Sequence, residues 1–274
     1  MSEEITGLSK DALDKYIPLD VIHLTQVDST NTYAKLLAQS KKATSPIVVI
    51  ADTQEKGRGR LGRSFFSEGG TGLYMSILLF PKLPPQDIQH ITTAAAASVC
   101  KALEELTGLS PAIKWVNDVY LNGKKIAGIL TEGSFDPVMN RTDFAVLGIG
   151  VNVFAPSCDF PEDIRYIASS VFNKPYQDAN KDHPYFREML AGKIIGFFLE
   201  YFENITNKPH LEDYRSRMFL NGKQVDVITP ISHRSAKVIE LLPDFSLLVE
   251  YPSGEREALF SGEVSLKVTS DLIE

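Results

Sequence analysis

The sequence predicts an α+β fold, in which a mixed, largely antiparallel sheet packs with helices and a small all-β module follows. Two observations support this prediction. Up to about residue 218, apolar runs suited to buried strands alternate with helical patterns, and hairpins are mixed among the helices. Beyond that point only short strands follow, separated by turns such as Pro252-Ser253-Gly254. We therefore expect two domains, at residues 1–218 and 219–274.

Each element rests on a local pattern. The strands are short β-branched or apolar runs, and the helices carry apolar residues at helical spacing. The segment Asp28-Ser29-Thr30-Asn31 can cap one helix, and Gly108 ends another. In the larger part we expect strands at residues 21–27, 46–52, 72–80, 112–121, 124–132 and 144–153, and helices at residues 32–42, 91–106, 184–203 and 211–218. In the C-terminal module we expect strands at residues 223–228, 236–242, 246–251 and 257–260.

A hairpin is predicted at Asn122-Gly123, because this pair favours a two-residue type I′ turn between strands. The turn would place Asp118 opposite Ala127, and Lys125 diagonally from Asp118 on the same face. An exposed cross-strand ion pair of this kind needs no function. The small residues Ala127 and Gly128 leave room for a ligand beside the carboxylate, however, and we favour a binding site.

Composition restricts the class of protein. The formal net charge is −7, from 28 basic and 35 acidic residues, which argues against a protein whose main partner is the nucleic-acid backbone. The two cysteines, Cys100 and Cys158, and the scattered histidines form no zinc, disulfide or nucleophile pattern. The acidic start argues against a signal peptide, and no apolar run has the length of a membrane span. We expect a cytoplasmic protein that has no metal site and does not act at a membrane.

A glycine- and arginine-rich segment, Gly57-Arg58-Gly59-Arg60-Leu61-Gly62-Arg63, lies between two predicted buried strands. From Lys56 to Ser67 there are four basic residues and no acidic one. Glycine lets backbone amides approach a ligand closely, and arginine binds phosphate or carboxylate with paired donors. The segment fits neither a Walker loop nor a dinucleotide fingerprint. We interpret it as a loop that holds an anionic ligand; the alternative is a solvated basic loop.

A flat surface with a polar end is predicted on the strand that contains Gly148-Ile149-Gly150-Val151-Asn152. Alternate residues of a strand point the same way, so Gly148, Gly150 and Asn152 share one face. Glycine in a strand often marks the close approach of a ligand or of a packed helix, and both readings stay open. Ser29-Thr30-Asn31 offer further polar groups at a helix N-terminus, although helix capping alone would account for them.

No covalent nucleophile emerges from the sequence, so the chemistry must rest on positive charge, backbone amides and one carboxylate. These groups suit the attack of a bound carboxylate on the α-phosphate of a nucleotide, because catalysis there consists mainly of positioning and charge stabilisation. We therefore predict a ligase that adenylates a small carboxylic acid.

The motifs of the sequence, and the order in which they follow one another, resemble those of the biotin–protein ligases. The resemblance is strong over residues 20–155 and rests on five motifs: Asp28-Ser29-Thr30-Asn31, Gln54 to Arg63, Lys114-Trp115-Val116-Asn117-Asp118, Lys125 to Leu130 and Gly148 to Asn152. It implies a class II synthetase-like catalytic domain, and a C-terminal module that matches the family's SH3-like β-barrel in size and position. It also implies two half-reactions. Biotin and MgATP would give biotinyl-5′-AMP and pyrophosphate, and a lysine of a biotin carboxyl carrier protein would then accept the biotin.

The resemblance also implies roles for individual residues. Lys125, Arg58 and Asp118 would be catalytic, with Lys125 at the biotin carboxylate and the α-phosphate. Biotin would contact Ser29, Thr30, Asn31, Gln54, Gly57, Arg58, Gly59, Arg60, Lys125, Gly128, Gly148 and Gly150. ATP and the adenylate would contact Arg60, Arg63, Asn117, Asp118, Lys125 and Asn152.

Some features depart from the family pattern or leave alternatives open. Val116 stands where the family often has proline, and Ser64-Phe65-Phe66 stands where an aromatic residue contacts adenine. About twenty residues precede the first predicted strand, too few for the helix-turn-helix domain with which some members repress transcription, so we expect no DNA binding. The protein would be a monomer or a homodimer. The alternatives are a lipoate or octanoyl ligase or transferase of the same fold, and a non-catalytic nucleotide- or RNA-binding module that uses the basic loop.

Overall fold

A seven-stranded sheet forms from apolar strands of the first part of the chain. The computed structural model describes residues 7–175, 184–229, 232–260 and 265–268. The strands of this sheet are β1 (Asp20–Val27), β2 (Ile47–Gln54), β3 (Gly72–Leu79), β4 (Ala112–Lys114), β5 (Asp118–Leu121), β6 (Lys124–Asp136) and β7 (Arg141–Asn152). Their order is β1-β2-β3-β7-β6-β5-β4, in which β1 and β2 are parallel and all other neighbours are antiparallel. The predicted mixed, largely antiparallel sheet is confirmed.

Five α-helices lie in the described residues, and they cover both faces of the sheet. They are α1 (Lys10–Tyr16), α2 (Thr30–Gln39), α3 (Ile88–Thr107), α4 (Phe186–Phe202) and α5 (Leu211–Arg217). On one face α2 packs on Val49, Leu78 and Val146. On the other face α3 and α4 complete the main core, because the alternate strand residues point to that side. Four buried alanines at 94–97 let α3 lie close to the sheet, and Gly108, with φ 71°, ends it as predicted.

The α2 face also carries the two glycines of β7. Val146, Gly148 and Gly150 alternate along the strand, so all three face the side on which α2 packs. Beyond the N-terminus of α2 no other α-helix of the described residues packs on this face, and the candidate site lies there. Among helices of the described residues, none combines the length and apolar content needed to cross a membrane.

The hairpin at Asn122-Gly123 forms, but its predicted register is wrong. Asn122 and Gly123 have positive φ of 49° and 75°, as a type I′ turn requires. β6 carries a bulge beyond the turn, so that Asp118 pairs with Gly128 and not with Ala127. A bulge adds one residue to one strand, which a register counted from the turn does not include.

The single strand predicted at residues 112–121 is also wrong. It consists of two strands, β4 and β5, which pair with each other around a tight turn at residues 115–117, with Lys114 opposite Asp118. The segment contains neither glycine nor proline, so the sequence carries no ordinary turn signal there. The turn directs Asn117 and Asp118 toward the α2 face of the sheet, where Lys125 meets them.

A second sheet follows the large one. Its strands are β10 (Gln224–Ile228), β11 (His233–Leu241), β12 (Leu247–Glu250), β13 (Arg256–Leu259) and β14 (Ser265–Val268), after the small pair β8 (Phe154–Ala155) and β9 (Phe172–Pro175). The order β13-β12-β11-β10-β14 is antiparallel throughout. The predicted small β module is confirmed. In the described residues the two edge strands, β13 and β14, do not pair with each other. The sheet of this part of the chain therefore does not close into the predicted barrel.

The apolar core continues across the predicted boundary near residue 219. Leu220 and Phe245 belong to the same buried cluster as residues of α3 and the large sheet. The second sheet is therefore packed on the first part of the molecule. The division into domains 1–218 and 219–274 stays a prediction.

Candidate active site

A cavity lies on the α2 face of the large sheet, between the N-terminus of α2, strands β5 to β7 and the glycine- and arginine-rich loop. Of the residues predicted for the site, all but Gly57 line this cavity. They are Ser29, Thr30, Asn31, Gln54, Arg58, Gly59, Arg60, Arg63, Asn117, Asp118, Lys125, Gly128, Gly148, Gly150 and Asn152. The fold therefore brings together segments that are up to about 120 residues apart in sequence.

The floor of the cavity is formed by β7. A Cβ atom at Gly148 would lie 2.1 Å from Asn31 Oδ1, and one at Gly150 would lie 2.6 Å from the ring of Phe65. Real Cβ atoms do not approach other atoms so closely, so each glycine leaves space that a neighbouring side chain fills. Asn31 and Phe65 thus lie directly on the strand, and the cavity opens between them.

One end of the cavity is a network of hydroxyl and amide groups. The Thr30 backbone N–H donates to Gln54 Oε1 at 2.9 Å, and Ser76 Oγ lies 2.7 Å from Thr30 Oγ1 and 2.6 Å from Asn31 Oδ1. Ser29 occupies the N-cap position of α2, but its side chain makes no capping hydrogen bond. The capping interpretation of Ser29 is therefore not realised, and its hydroxyl lines the cavity instead.

The other end carries charge. Lys125 Nζ lies 2.7 Å from Asp118 Oδ1, which also accepts a hydrogen bond from Asn117 Nδ2 at 3.1 Å. Arg60 Nη1 donates to Asn117 Oδ1 at 2.9 Å. Burial lowers the pKa of Arg60, and burial lowers the pKa of Lys114 as well. These shifts follow from placing cations where water is scarce, which favours an anionic partner.

The glycine- and arginine-rich loop forms the wall above this charge. Residues Arg60–Gly62 form a short 3-10 turn in which Leu61 has a φ of 54° and is 62% exposed. Arg58 Nη1 lies 3.1 Å from Glu132 Oε1, and the other carboxylate oxygen of Glu132 accepts a hydrogen bond from Asn31. Gly57, the first residue of this loop, is the predicted site residue that does not line the cavity. It packs against the backbone instead, since a Cβ there would be 2.4 Å from Phe65 O. The structure gives Gly57 a packing role, and its predicted contact with a ligand stays a prediction.

The sequence matches known proteins over much of its length. Residues 24–152 match the family described as biotin/lipoate A/B protein ligase. Over 170 residues the chain is 36% identical to the bifunctional ligase/repressor BirA of Bacillus spizizenii, covering 62% of this chain and 50% of BirA. Over 218 residues it is 30% identical to the biotin–[acetyl-CoA-carboxylase] ligase of Mycobacterium tuberculosis, covering 77% of this chain and 75% of that protein.

The fold matches as well. The biotin protein ligase from Aquifex aeolicus, solved in complex with biotin and ATP, aligns with a TM-score of 0.72 at 30% identity, covering 91% of this chain and 99% of that chain. The chain belongs to the biotin protein ligase family. It spans about half the length of the Bacillus BirA proteins that it matches.

Several residues that line the cavity were not predicted from the sequence. Phe65 lies over Gly150, and Phe66 lines the same wall; the sequence indicated an aromatic residue in this segment but not which one. Ile164, Ile167 and Ala168 form a second wall. Their segment follows the family match at residues 24–152 and has no periodic pattern, so only the structure reveals it.

That second wall is tied to Lys125 by its backbone. Lys125 N–H donates to Ile167 O at 2.7 Å, and Ser169 N–H donates to Lys125 O at 2.9 Å. Asn152 Nδ2 donates to Ser169 O at 3.1 Å. Lys125 is therefore held on both sides, by β5 and by the segment at residues 164–169.

Proposed function

We propose that this protein is an ATP-dependent biotin–protein ligase, which forms biotinyl-5′-AMP and transfers biotin to a lysine of a biotin carboxyl carrier protein. The observation that carries the proposal is the arrangement of the cavity. A glycine floor leads from a hydroxyl and amide network at one end to Lys125, Asp118, Arg60 and Arg63 at the other. A ligand with a polar head, a thin apolar body and a carboxylate tail fits this order.

In the first half-reaction, a biotin carboxylate oxygen attacks the α-phosphorus of ATP, and the bond to pyrophosphate breaks. Negative charge builds up on the phosphate oxygens during this step, and cations fixed beforehand stabilise it. Lys125 is the cation that lies beside Gly128 and Asp118 in the cavity, so we assign it to the carboxylate and α-phosphate. Arg60 and Arg63 would hold the phosphates from the loop.

Magnesium would enter with ATP as part of the MgATP substrate. In the described residues no cluster of His, Cys, Asp and Glu could hold a metal ion. Asp118 is the one carboxylate among the residues that line the cavity in the described chain. The ATP phosphates are then the natural ligands of the ion.

In the second half-reaction, a lysine amine of the carrier attacks the acyl carbon of the adenylate, and AMP leaves. The amine must be neutral to attack, so a proton acceptor beside the carboxyl end of the ligand favours the step. Asp118 lies there, and Asn117 bridges it to Arg60. We therefore place the incoming lysine against Asp118.

The polar end of the cavity favours biotin over lipoate as the acid. Thr30, Asn31, Gln54 and Ser76 present hydroxyl and amide groups within one hydrogen-bonded network. The ureido ring of biotin has both donors and acceptors to offer this network, whereas the dithiolane ring of lipoate has no N–H or carbonyl group that could join it.

We place the reaction in the cytoplasm. Cys100 and Cys158 are both free thiols, as expected in a reducing compartment. The enclosed form of the cavity, with residues 164–168 as a second wall, favours a small-molecule site over an open strip that would bind RNA.

The test is a pyrophosphate-release assay with the full chain, ATP and Mg²⁺, run with biotin, with lipoate or octanoate, or without an acid. We expect release that depends on biotin, followed by transfer to an added carrier domain. Release with lipoate alone would favour the alternative ligase. No release with any acid would refute adenylation, and retention on RNA that weakens with salt would then indicate a binding module.

A further inference from the structure

A turn of the second sheet is inserted into the core behind the candidate active site. The turn joins β11 to β12 and carries Phe245, which is fully buried with a φ of 62°. The Phe245 ring stacks on His210, with centroids 4.7 Å apart and planes 8° from parallel. Ser246 Oγ and N–H both donate to Asp244 Oδ1, at 2.6 and 3.0 Å, and keep the turn in this form.

Two hydrogen bonds join this region to the turn at residues 115–117. Trp115 Nε1 donates to the backbone oxygen of Phe245 at 2.9 Å, and the hydroxyl of Tyr214 in α5 donates to Val116 O at 3.1 Å. Tyr214 is fully buried and meets the Phe245 ring edge-on, at 5.7 Å between centroids. A buried donor that loses such a partner has no water to replace it, so these contacts define one position of the turn.

The turn at residues 115–117 also supports the charged end of the cavity. Asn117 follows Val116 directly, and its side chain bridges Arg60 and Asp118. Asp118 then holds Lys125. A shift of residues 115 and 116 would therefore move the groups that we assign to the carboxylate and the phosphates.

We propose that Tyr214 and Phe245 are positioning residues for adenylate formation, which hold the turn at residues 115–117 so that Asn117 and Asp118 keep Arg60 and Lys125 in place. Neither residue lines the cavity. The reaction named here rests on the proposed function, whereas the contacts do not. Misplacement of reacting groups by as little as about 1 Å can lower a rate by about a hundredfold, so a loss of one anchor is measurable.

The test compares two variants that each remove one hydroxyl. Tyr214→Phe removes the hydrogen bond to Val116 O. Tyr201→Phe is the matched control. The Tyr201 hydroxyl donates to Asp213, the neighbour of Tyr214 in α5, and the Tyr201 ring also contacts His210. We expect Tyr214→Phe to lower kcat for biotin-dependent pyrophosphate release about tenfold while KM for biotin stays within about twofold, and Tyr201→Phe to change neither.

A second measurement does not depend on activity. Trp115 is the single tryptophan of the chain, and it is buried. Its fluorescence therefore reports the turn directly. We expect a red-shifted emission and stronger quenching by acrylamide in Tyr214→Phe, and also in Phe245→Leu, than in the wild type and in Tyr201→Phe.

The outcomes separate the two proposals. A wild type without biotin-dependent release refutes the proposed function, and the fluorescence then decides whether Tyr214 and Phe245 hold the turn. An active wild type with equal kcat in Tyr214→Phe and Tyr201→Phe overturns the positioning role, whatever the emission shows. Equal falls in kcat in both variants would indicate general destabilisation of α5 and would overturn it as well.

Discussion

Gly148 illustrates how a missing side chain can shape a site. Its Cα faces Asn31, whose Oδ1 would be 2.1 Å from a Cβ atom. Asn31 has little freedom to move, because Ser76 Oγ donates to its Oδ1 and its Nδ2 donates to Glu132 Oε2 at 3.1 Å. Any side chain at this position therefore disturbs the polar end of the cavity before it disturbs the fold.

We predict that Gly148→Ala raises KM for biotin about tenfold, equivalent to about 1.4 kcal/mol of binding free energy. The cause is displacement of Asn31, so Gly148→Ala should have little further effect in an Asn31→Ala background. Steady-state kinetics of the four members of this double-mutant cycle measure the coupling. Additive effects of the two substitutions would contradict the steric explanation.

Lys125 leads to a sharper prediction. Lys125→Ala removes the cation assigned to the transition state and leaves Asp118 without its partner, so adenylation should fall by about a hundredfold or more. Lys124→Ala is the control, since Lys124 is its exposed neighbour and its removal should leave the rate within about twofold. Single-turnover measurements compare the chemical step. Comparable rates for the two variants would remove Lys125 from this role.

Most residues that line the cavity were expected there on two grounds, unusual residue types in a packed core and the resemblance to the biotin–protein ligases. Glycines in a strand and arginines between glycines stand out from a packed core. The Asp118–Lys125 pair formed even though the predicted register was wrong, because the bulge moved Asp118 by one position and the long lysine side chain spans that step. Ile167 was not found, because an apolar residue in a loop carries no such signal, and the choice between Phe65 and Phe66 needed the structure.

At the level of elements, α4 contains a matched pair of glycines with opposite surroundings. A Cβ at Gly192 would lie 2.5 Å from the backbone oxygen of Tyr16 at the end of α1, whereas nothing lies within 4 Å of a Cβ at Gly196. Both positions are inside the helix, where alanine is intrinsically favoured. The two helices can therefore pack closely only at the first of these positions.

We predict that Gly196→Ala raises the free energy of unfolding by about 0.5–1 kcal/mol, because alanine loses less backbone entropy in a helix. Gly192→Ala should lower it by about 1–3 kcal/mol, because α1 has to move away from α4. Urea unfolding of the two variants tests the difference in sign. A stabilising Gly192→Ala would show that α1 does not pack on α4 in solution.

The ends of helices and strands were predictable where a residue type favours a turn or a helix cap. Asn122-Gly123 and Gly108 are located by residue type, because positive φ favours them. The division between β4 and β5 was missed, because Trp115, Val116 and Asn117 continue a pattern suited to a strand. That turn is specified by distant partners, Tyr214 and Phe245, which no local pattern contains.

At the level of the whole molecule, we expect the contact between the two parts of the chain to depend on pH. His210 is completely buried against Phe245, and burial lowers its pKa to about 3. His90, which lies 5.3 Å from the Phe245 ring, has a lowered pKa for the same reason. In the unfolded chain a histidine titrates near pH 6.5, so between about pH 6.5 and 3 the unfolded state binds more protons at these positions.

We predict that the stability supplied by neutral His210 is fully present above about pH 6.5 and falls toward pH 3, by up to about 1.4 kcal/mol per pH unit. Carboxylates also titrate in this range, so the comparison is with His210→Gln, which retains them. The difference in free energy of unfolding between wild type and variant should decrease as the pH falls from 6.5 to 4. A constant difference would show that His210 takes up its proton in the folded state.

The whole fold was less predictable than its parts. The order β1-β2-β3-β7-β6-β5-β4 joins strands across long separations, and the parallel β1–β2 pair depends on α2 crossing between them. The second sheet was predicted as a separate barrel. Its turn at Phe245 is buried in the core that both parts of the chain share, which an ordinary Pro-Asp-Phe-Ser segment does not reveal.

The hydrogen bond between Trp115 and Phe245 has a consequence for how the protein is made. Its two residues are 130 positions apart. At a synthesis rate of about 5–20 residues per second, the acceptor leaves the ribosome roughly 6 to 26 seconds after the donor. Until then the turn at residues 115–117 of a nascent chain lacks this anchor. The turn at residues 115–117 would thus reach its final position only after the Phe245 turn of the second sheet has been synthesised.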